Sequence, residues 1–296
     1  MAKKKISRGF GTHDGTFHAD ELTACALLIL FDLVDEDKIF RTRDSEVLSQ
    51  CEYVCDVGGV YDPKQKLFDH HQVEYQGSLS SAGMILLHLK ERGVLKSNEY
   101  QFFNDSLIAG VDSHDNGIEP QIPGFCSYSE VIANFVPISY GATEEEQNKA
   151  FFEALHFSFE HLKRLWARYR YIQSFREIVE KAMNENNECL MFDQSIPWIE
   201  PFFELGGVDH PAKFVIVPSG DYWNLRGIPP NCQDRMSVRL PLPEAWAGLL
   251  EDDLRRVSGI PGAVFCHKGR FISVWETCED ALKALEYTLK KTKESS

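Results

Sequence analysis

The chain has 296 residues, of which 43% are hydrophobic and 20 are phenylalanine, so it holds enough apolar material for more than one core. Its formal net charge of −14 argues against a protein that coats nucleic acid through a basic surface, but leaves room for a short anionic strand in a local pocket. The eight cysteines are scattered and form no CxxC pair, so they show neither a zinc ribbon nor a disulfide framework and favour buried thiols in a reducing compartment.

Short strands alternate with helices in the first third of the chain. Residues 9–13 lead into a loop, and 20–31 have the pattern of a buried amphipathic helix. Further elements are predicted as strands at 38–43 and 52–57 and as helices at 81–90, with Ser80 or Ser81 as N-cap, and 100–111. This alternation predicts an α/β fold with a mostly parallel sheet.

A helical connector is predicted at 143–186, which contains no Pro or Gly and opens with a Thr cap followed by acids. It forms one long helix or two abutting ones. The strands and the helix after it are predicted at 213–217, 221–225, 263–267, 270–275 and 278–291. The predicted division is therefore a domain at 1–142, the connector at 143–186 and a smaller α+β domain at 187–296.

The amino terminus is basic and lacks the apolar segment of a secretory signal. The longest apolar run, 24–31, is too short to cross a bilayer. We therefore expect a cytoplasmic protein without a membrane partner.

Histidines and acids concentrate in four short segments at predicted element ends. The segments GTHDGTFHADE, VCDVGG, FDHH and VDSHDNG contain His13, Asp14, His18, Asp20, Asp56, Asp69, His70, His71, Asp112, His114 and Asp115. Ligands of open α/β sheets bind at the carboxyl ends of the strands. Four such segments within 115 residues predict one site, although any single residue, Asp14 and His114 above all, is more often an ordinary surface group.

Imidazole mixed with carboxylate, without thiolate, suits Mn, Fe, Co or Mg better than structural zinc. More than four candidate ligands indicate two ions that share a carboxylate and together activate a water against a phosphoryl group. Asp56 is the predicted bridge, because an unpaired carboxylate on an apolar strand would be costly.

In an extended segment 68–72, His70 and His71 would point to opposite sides. One would then bind metal and the other would face a substrate phosphate, while Asp69 would orient an imidazole.

The motif FDHHQ, with Asp56 upstream and Asp112 downstream, resembles the DHH phosphoesterase superfamily. GTHDGTFHADE, RTRD, CDVGGVYDP, LSSAG, VDSHDNG, RLPLPEAWAGL and VSGIPGAVF make the chain more closely similar to the melanocyte-proliferating-gene (MYG) exonuclease family. The resemblance implies a DHH-type catalytic domain, a substrate-binding domain and metal-dependent phosphodiester hydrolysis.

The resemblance also implies roles for individual residues. Metal ligands are implied at His13, Asp20, Asp56, His70 and Asp112, with His18 standing where many relatives have Asp. His71 is implied as the phosphate-facing catalytic residue. Arg239 and His267 are the candidates for substrate contact in the second domain, because an Arg fork suits phosphate.

The leading functional hypothesis is a 3′–5′ exonuclease that acts on RNA or a short oligonucleotide with two divalent ions, Mn²⁺ first and Mg²⁺ or Co²⁺ as alternatives. A second hypothesis is hydrolysis of a small nucleotide or a pyrophosphate. A third, from another class, is a non-catalytic protein that binds metal and RNA. The sequence leaves the oligomeric state open, a homodimer included.

Overall fold

The computed structural model describes residues 5–185 and 188–295. The chain divides into two compact units, with the division between Ala167 and Arg168. The predicted boundary between 186 and 187 lies outside the described residues, and the three-part division stays a prediction. The predicted α/β class is confirmed, because each unit combines helices with its own five-stranded sheet.

The first sheet is mostly parallel, as the alternation of elements predicts. Its strands are β1 (Ile6–Thr12), β2 (Ile39–Arg41), β3 (Cys51–Cys55), β4 (Tyr61–Asp62) and β5 (Leu67–Phe68). They lie in the order β2-β1-β3-β5-β4, and only the edge strand β4 is antiparallel to its neighbour. The carboxyl ends of β1, β3 and β5 therefore lie side by side at one edge of the sheet.

The helices of the first unit cover this sheet. They are α1 (Ala19–Leu30), α2 (Ser45–Leu48), α3 (Ser81–Glu91), α4 (Ser97–Phe103), α5 (Ala109–Asp115), α6 (Tyr128–Ala133) and α7 (Glu144–Gln173), which continues past the division between the units. Ten of the twelve residues of α1 are buried, so this helix forms the centre of the core. A π-helical turn at Asn104–Ile108 separates α4 from α5, where the sequence predicts one uninterrupted helix.

The second unit has a mixed sheet in the order β6-β7-β8-β10-β9, in which only β6 and β7 are parallel. Helices α7 and α8 abut, as one of the two predicted alternatives has it. The remaining elements are α8 (Arg176–Glu185), β6 (Cys189–Met191), α9 (Ile199–Glu204), β7 (Phe214–Ser219), β8 (Tyr222–Gly227), α10 (Glu251–Ser258), β9 (Ala263–Cys266), β10 (Ile272–Trp275) and α11 (Cys278–Ser295). Among the described residues, no helix combines the length and the apolar character that a bilayer crossing requires.

His88 of α3 is a buried histidine of the first core. Its ring lies against Phe68 and Tyr53, with centroid distances of 5.0 and 6.1 Å. Its Nε2 has no hydrogen-bond partner among the described residues. Burial, with a contribution from the nearby Arg92 and Lys66, lowers the pKa of His88 to about 4. The folded protein therefore keeps this imidazole neutral at pH values where the unfolded chain protonates it.

We expect replacement of His88 by leucine to flatten the acid limb of the stability curve. A group with a depressed histidine pKa costs stability as pH falls below its unfolded value of about 6.5, and the cost levels off below the folded value. Between pH 7 and pH 4 the wild type should lose about 3 kcal/mol more than His88→Leu. Urea unfolding of both proteins at a series of pH values measures this difference, and parallel curves would contradict it.

Candidate metal centre

Three adjacent parallel strands deliver the central side chains of an open cleft of about 1010 Å³. His13 follows β1, Asp56 follows β3, and His70 lies two residues after β5. Asp20, from the first turn of α1, and Asp115, from the end of α5, complete the group. The cleft thus lies at the carboxyl ends of the strands, where the sequence predicts it.

Asp56 lies at the centre of this group and is only 5% exposed. Its Oδ2 is 3.2 Å from His13 Nε2, and its Oδ1 is 3.4 Å from His70 Nε2 and 3.3 Å from His71 Nδ1. Its backbone has a φ of +56°, in the left-handed region that costs a non-glycine residue free energy and is enriched at functional sites. Although burial favours the protonated form, the imidazoles of His13 and His70 hold the pKa of Asp56 below its usual range.

His13 directs its Nε2 toward two carboxylates. Its Nδ1 lies 2.8 Å from the carbonyl oxygen of Asp14, to which it can only donate, so in the neutral ring Nε2 carries the lone pair. This Nε2 lies 3.2 Å from Asp56 and 3.3 Å from Glu21. Burial opposes a charged ring, but the hydrogen bonds with Asp56 and Glu21 outweigh it and raise the pKa of His13 to about 10. His13 Nε2 and the carboxylates of Asp56 and Glu21 are all able to bind a positive charge. Their close approach is therefore stabilised by a proton on Nε2 or by a metal cation between them.

A second set of electron-rich atoms meets at Asp20, His70 and Asp115. Both carboxylate oxygens of the buried Asp20 lack a hydrogen-bond partner among the described residues, as do His70 Nε2 and Asp115 Oδ2. His70 Nε2 and Asp115 Oδ2 are 3.1 Å apart without forming a well-directed hydrogen bond. Burial, reinforced by the charges of Glu21, Asp56 and Asp115, raises the pKa of Asp20. Orphaned buried acceptors of this kind are costly unless a cation satisfies them.

These side chains form three overlapping groups, each of which could hold a divalent cation. Ligand atoms within 4.8 Å of one another come from His13, His18, Glu21 and Asp56 in one group and from Asp20, His70 and Asp115 in another, while Asp56 also groups with His70 and His71. All of them are imidazole nitrogens or carboxylate oxygens, the ligands preferred by Mn²⁺ and similar ions.

The structure at the start of α1 determines the positions of His18 and Glu21. The backbone N–H of His18 donates to the two carboxylate oxygens of Glu21, at 2.8 and 3.0 Å, as in a capping box. His18 is exposed, whereas Glu21 is fully buried. Glu21 is absent from the predicted ligands because a Glu three residues after an N-cap is an ordinary helix signal. Its proximity to His13 depends on the fold.

Asp112 was predicted as a ligand, but the structure places its carboxylate elsewhere. Its Oδ1 accepts hydrogen bonds from the backbone N–H and the hydroxyl of Ser80, at 3.0 and 2.7 Å, at the start of α3. A Cβ on Gly83 would clash with Asp112 Oδ2, so the carboxylate is packed tightly against that helix. Asp115, three residues later on α5, occupies the position in the cleft instead.

His70 and His71 do not alternate across a strand. Strand β5 ends at Phe68, and the next three residues form a loop around Asp69. The Asp69 carboxylate accepts from the backbone N–H of Gly59 and of His71, at 2.6 and 3.0 Å, and lies 2.9 Å from His71 Nδ1. Both imidazoles therefore approach Asp56 from one side, with ring centroids 4.4 Å apart. The premise of alternation is wrong, while the separate roles of the two rings stay a prediction.

The two residues predicted to contact substrate from the second unit have local partners. Arg239 donates to the carbonyls of His210, Ala212 and Pro229, at 2.6, 3.1 and 3.2 Å, and also to that of Gly207. Its guanidinium is thus committed to backbone and is a poor candidate for binding phosphate. His267 follows β9, and its Nδ1 accepts the N–H of Gly269 at 2.9 Å, which leaves Nε2 as its available atom.

A family model described as "Uncharacterised protein family (UPF0160)", with the name MYG1_exonuc, matches residues 9–289. The chain is 57% identical over 287 residues to the MYG1 protein of Chlamydia pneumoniae, covering 96% of this chain and 98% of that protein. It is 32% identical over 322 residues to the MYG1 exonuclease of Homo sapiens, covering 94% and 85%.

Among solved structures, RecJ from Thermus thermophilus in complex with Mn²⁺ is similar at 14% identity and a TM-score of 0.27, covering 96% of this chain and 52% of that one. That score is too low to support an argument about fold or site. The family model and the sequence relatives, in contrast, span nearly the whole chain, and it therefore belongs to the MYG1 exonuclease family.

Proposed function

We propose that this protein is a metal-dependent phosphodiester hydrolase, a 3′–5′ exonuclease that acts on RNA or short oligonucleotides. The observation that carries the proposal is the convergence of orphaned buried acceptors of Asp20, Asp56, His70 and Asp115 in one open cleft. The relatives named exonuclease support the nuclease activity. RNA as substrate and the 3′–5′ direction are what membership of the family leads us to expect.

The ligands divide between two cation positions in this proposal. His13 and Asp56, with His18, would hold the first, and Asp20, Asp56, His70 and Asp115 the second. Two divalent ions, Mn²⁺ first and Mg²⁺ or Co²⁺ as alternatives, would supply Lewis acidity for the attack of water on phosphorus and for the leaving oxygen. Burial keeps the carboxylates from water, so their attraction for a bound cation would be screened less than at an exposed site.

His71 is the proposed catalytic residue that faces the substrate. Its side chain is 64% exposed, in contrast to the 10% of His70. The Asp69 carboxylate holds its Nδ1, which fixes the orientation of the ring, and Nε2 makes no hydrogen bond among the described residues. An imidazole held in this way can hydrogen-bond a phosphate oxygen or pass a proton to the leaving oxygen.

Replacement of Asp56 by asparagine tests the shared ligand. We expect metal-dependent cleavage to fall at least about 100-fold, because the variant lacks the carboxylate that would hold both ions, and the ions would supply the charge stabilisation at the phosphate. The measurement is the shortening of a 5′-labelled RNA oligomer with Mn²⁺ or with EDTA, alongside Mn²⁺ titration calorimetry of both proteins. Undiminished cleavage, or two ions bound with unchanged affinity, would refute the assignment.

The same assay separates exonuclease from small-molecule hydrolase. The described lining of the cleft has few cationic side chains that could bind the phosphates of a long strand. Hydrolysis of a dinucleotide or pyrophosphate is therefore the second candidate. A ladder that shortens from the 3′ end supports the first. Release of product from a dinucleotide alone, with the oligomer intact, supports the second.

Variants of Asp112 and Asp115 in α5 test which of the two aspartates binds metal and which caps the start of α3. Asp115→Asn should weaken Mn²⁺ binding by at least about tenfold with little change in metal-free stability. Asp112→Ala should lower stability by about 1–3 kcal/mol, because it leaves the start of α3 without its acceptor. Calorimetric metal titration and urea unfolding of both variants decide the matter, and the reverse pattern would restore Asp112 as the ligand.

A further inference from the structure

The cleft is acidic, although an anionic substrate is proposed for it. Its lining includes one cationic side chain of the Lys or Arg type among the described residues, namely Arg43. Its lining aspartates are Asp14, Asp20, Asp56, Asp69 and Asp115. Two divalent ions would not offset five carboxylates, so a phosphodiester entering the cleft would gain from one more fixed positive charge.

The motif RTRD contains two arginines with different surroundings. Arg41 is half-buried, with its guanidinium carbon 4.5 Å from the ring centroid of Phe151 and a hydrogen bond of 2.8 Å to Asn148. It also donates to the carbonyl of Gly15, so it supports the loop that carries the first ligands. Arg43, two residues later, has a 66% exposed side chain that lines the cleft.

The backbone that carries Arg43 is held at both sides. The N–H of Thr42 donates to the carbonyl of Thr12 in β1, at 2.8 Å. Asp44 accepts from the N–H of Glu46 at 2.7 Å and thereby caps α2. Arg43 therefore projects from a fixed point, which reduces the entropy lost when its guanidinium binds a ligand.

Among the described residues, the guanidinium of Arg43 has one weak partner. Its Nε lies 3.2 Å from Asp14 Oδ1, a carboxylate that is itself 43% exposed. Exposed ion pairs of this kind contribute only about 0–1 kcal/mol. The carbonyl of the same Asp14 accepts from His13 Nδ1, so Arg43 stands next to the first cation position.

We propose that Arg43 binds a phosphate of the substrate, exchanging its contact with Asp14 for a bidentate contact with two non-bridging phosphate oxygens. In this assignment, which rests on the proposed function, Arg43 is a substrate-positioning residue. The carboxylate of Asp14 competes with the phosphate for its guanidinium. A planar guanidinium fits two phosphate oxygens, whereas it touches the single oxygen of Asp14 at one nitrogen. The acidic cleft then discriminates against anions that cannot present two oxygens to the guanidinium of Arg43.

The test measures binding and cleavage separately. Binding is followed by fluorescence anisotropy with a labelled eight-nucleotide RNA that has ordinary phosphodiester linkages, with Ca²⁺ in place of Mn²⁺ to slow hydrolysis. Cleavage uses the same RNA with Mn²⁺. For Arg43→Ala we expect Kd and KM to rise about tenfold, kcat to change less than about threefold, and the salt dependence of binding to lose about 0.7 in slope. Arg43→Lys should fall between, because it keeps the charge without the fork.

Two variants serve as controls. Arg92→Ala removes an exposed arginine of the same unit that does not line the cleft, and it should leave Kd and the salt slope unchanged. Asp14→Asn should lower Kd about twofold or more, because it removes the competing carboxylate. A structural role of Arg43 would predict neither the gain for Asp14→Asn nor the change in slope.

The outcomes for the two proposals are distinct. Binding of Arg43→Ala within about twofold of the wild type overturns the assignment of Arg43, whatever the activity. A wild type that binds the RNA with an effect of Arg43, yet cleaves no phosphodiester, overturns the proposed function alone. A wild type that neither binds nor cleaves overturns both.

Discussion

The first unit depends on one buried carboxylate, that of Asp56, which three imidazoles approach within 3.4 Å. The residue stands at the end of the central strand β3, and its N–H donates to the carbonyl of Phe68 in β5. Its left-handed backbone turns the chain immediately into a segment where Gly58 and Gly59 also have positive φ. Strain at the backbone and burial of charge are both unfavourable, and a cation bound at Asp56 would offset them.

Much of this site follows from topology that the sequence reveals. His13, Asp56 and His70 come after strands that are adjacent and parallel, so their side chains must gather at one edge. The alternation of strand and helix patterns is enough to predict that arrangement. The prediction needs no atomic distance, because it uses only the direction of the strands.

The position of Asp115, and not Asp112, in the cleft has a different origin. Both lie on α5, three residues apart, so helical periodicity places both near one face and cannot choose between them. The choice is made upstream, where the π-helical turn at Asn104–Ile108 inserts an extra residue per turn and rotates α5. It is made again by Ser80, whose N–H and hydroxyl hold Asp112 at the start of α3. Neither event leaves a signal in the local pattern of residues.

The sequence does not predict which arginines have donors available for a ligand. Arg239, Arg41 and Arg43 all occur in segments on which the sequence resemblance to the family rests, and each has the same fork of donors. Among the described residues, all three guanidinium nitrogens of Arg239 donate to backbone carbonyls and the two terminal nitrogens of Arg41 donate to Asn148 and Gly15, whereas Arg43 has one contact, with Asp14. What an arginine can bind is thus decided by the acceptors that already surround it. An arginine with few acceptors, beside a cleft rich in carboxylates, is the one whose donors are available to a phosphate.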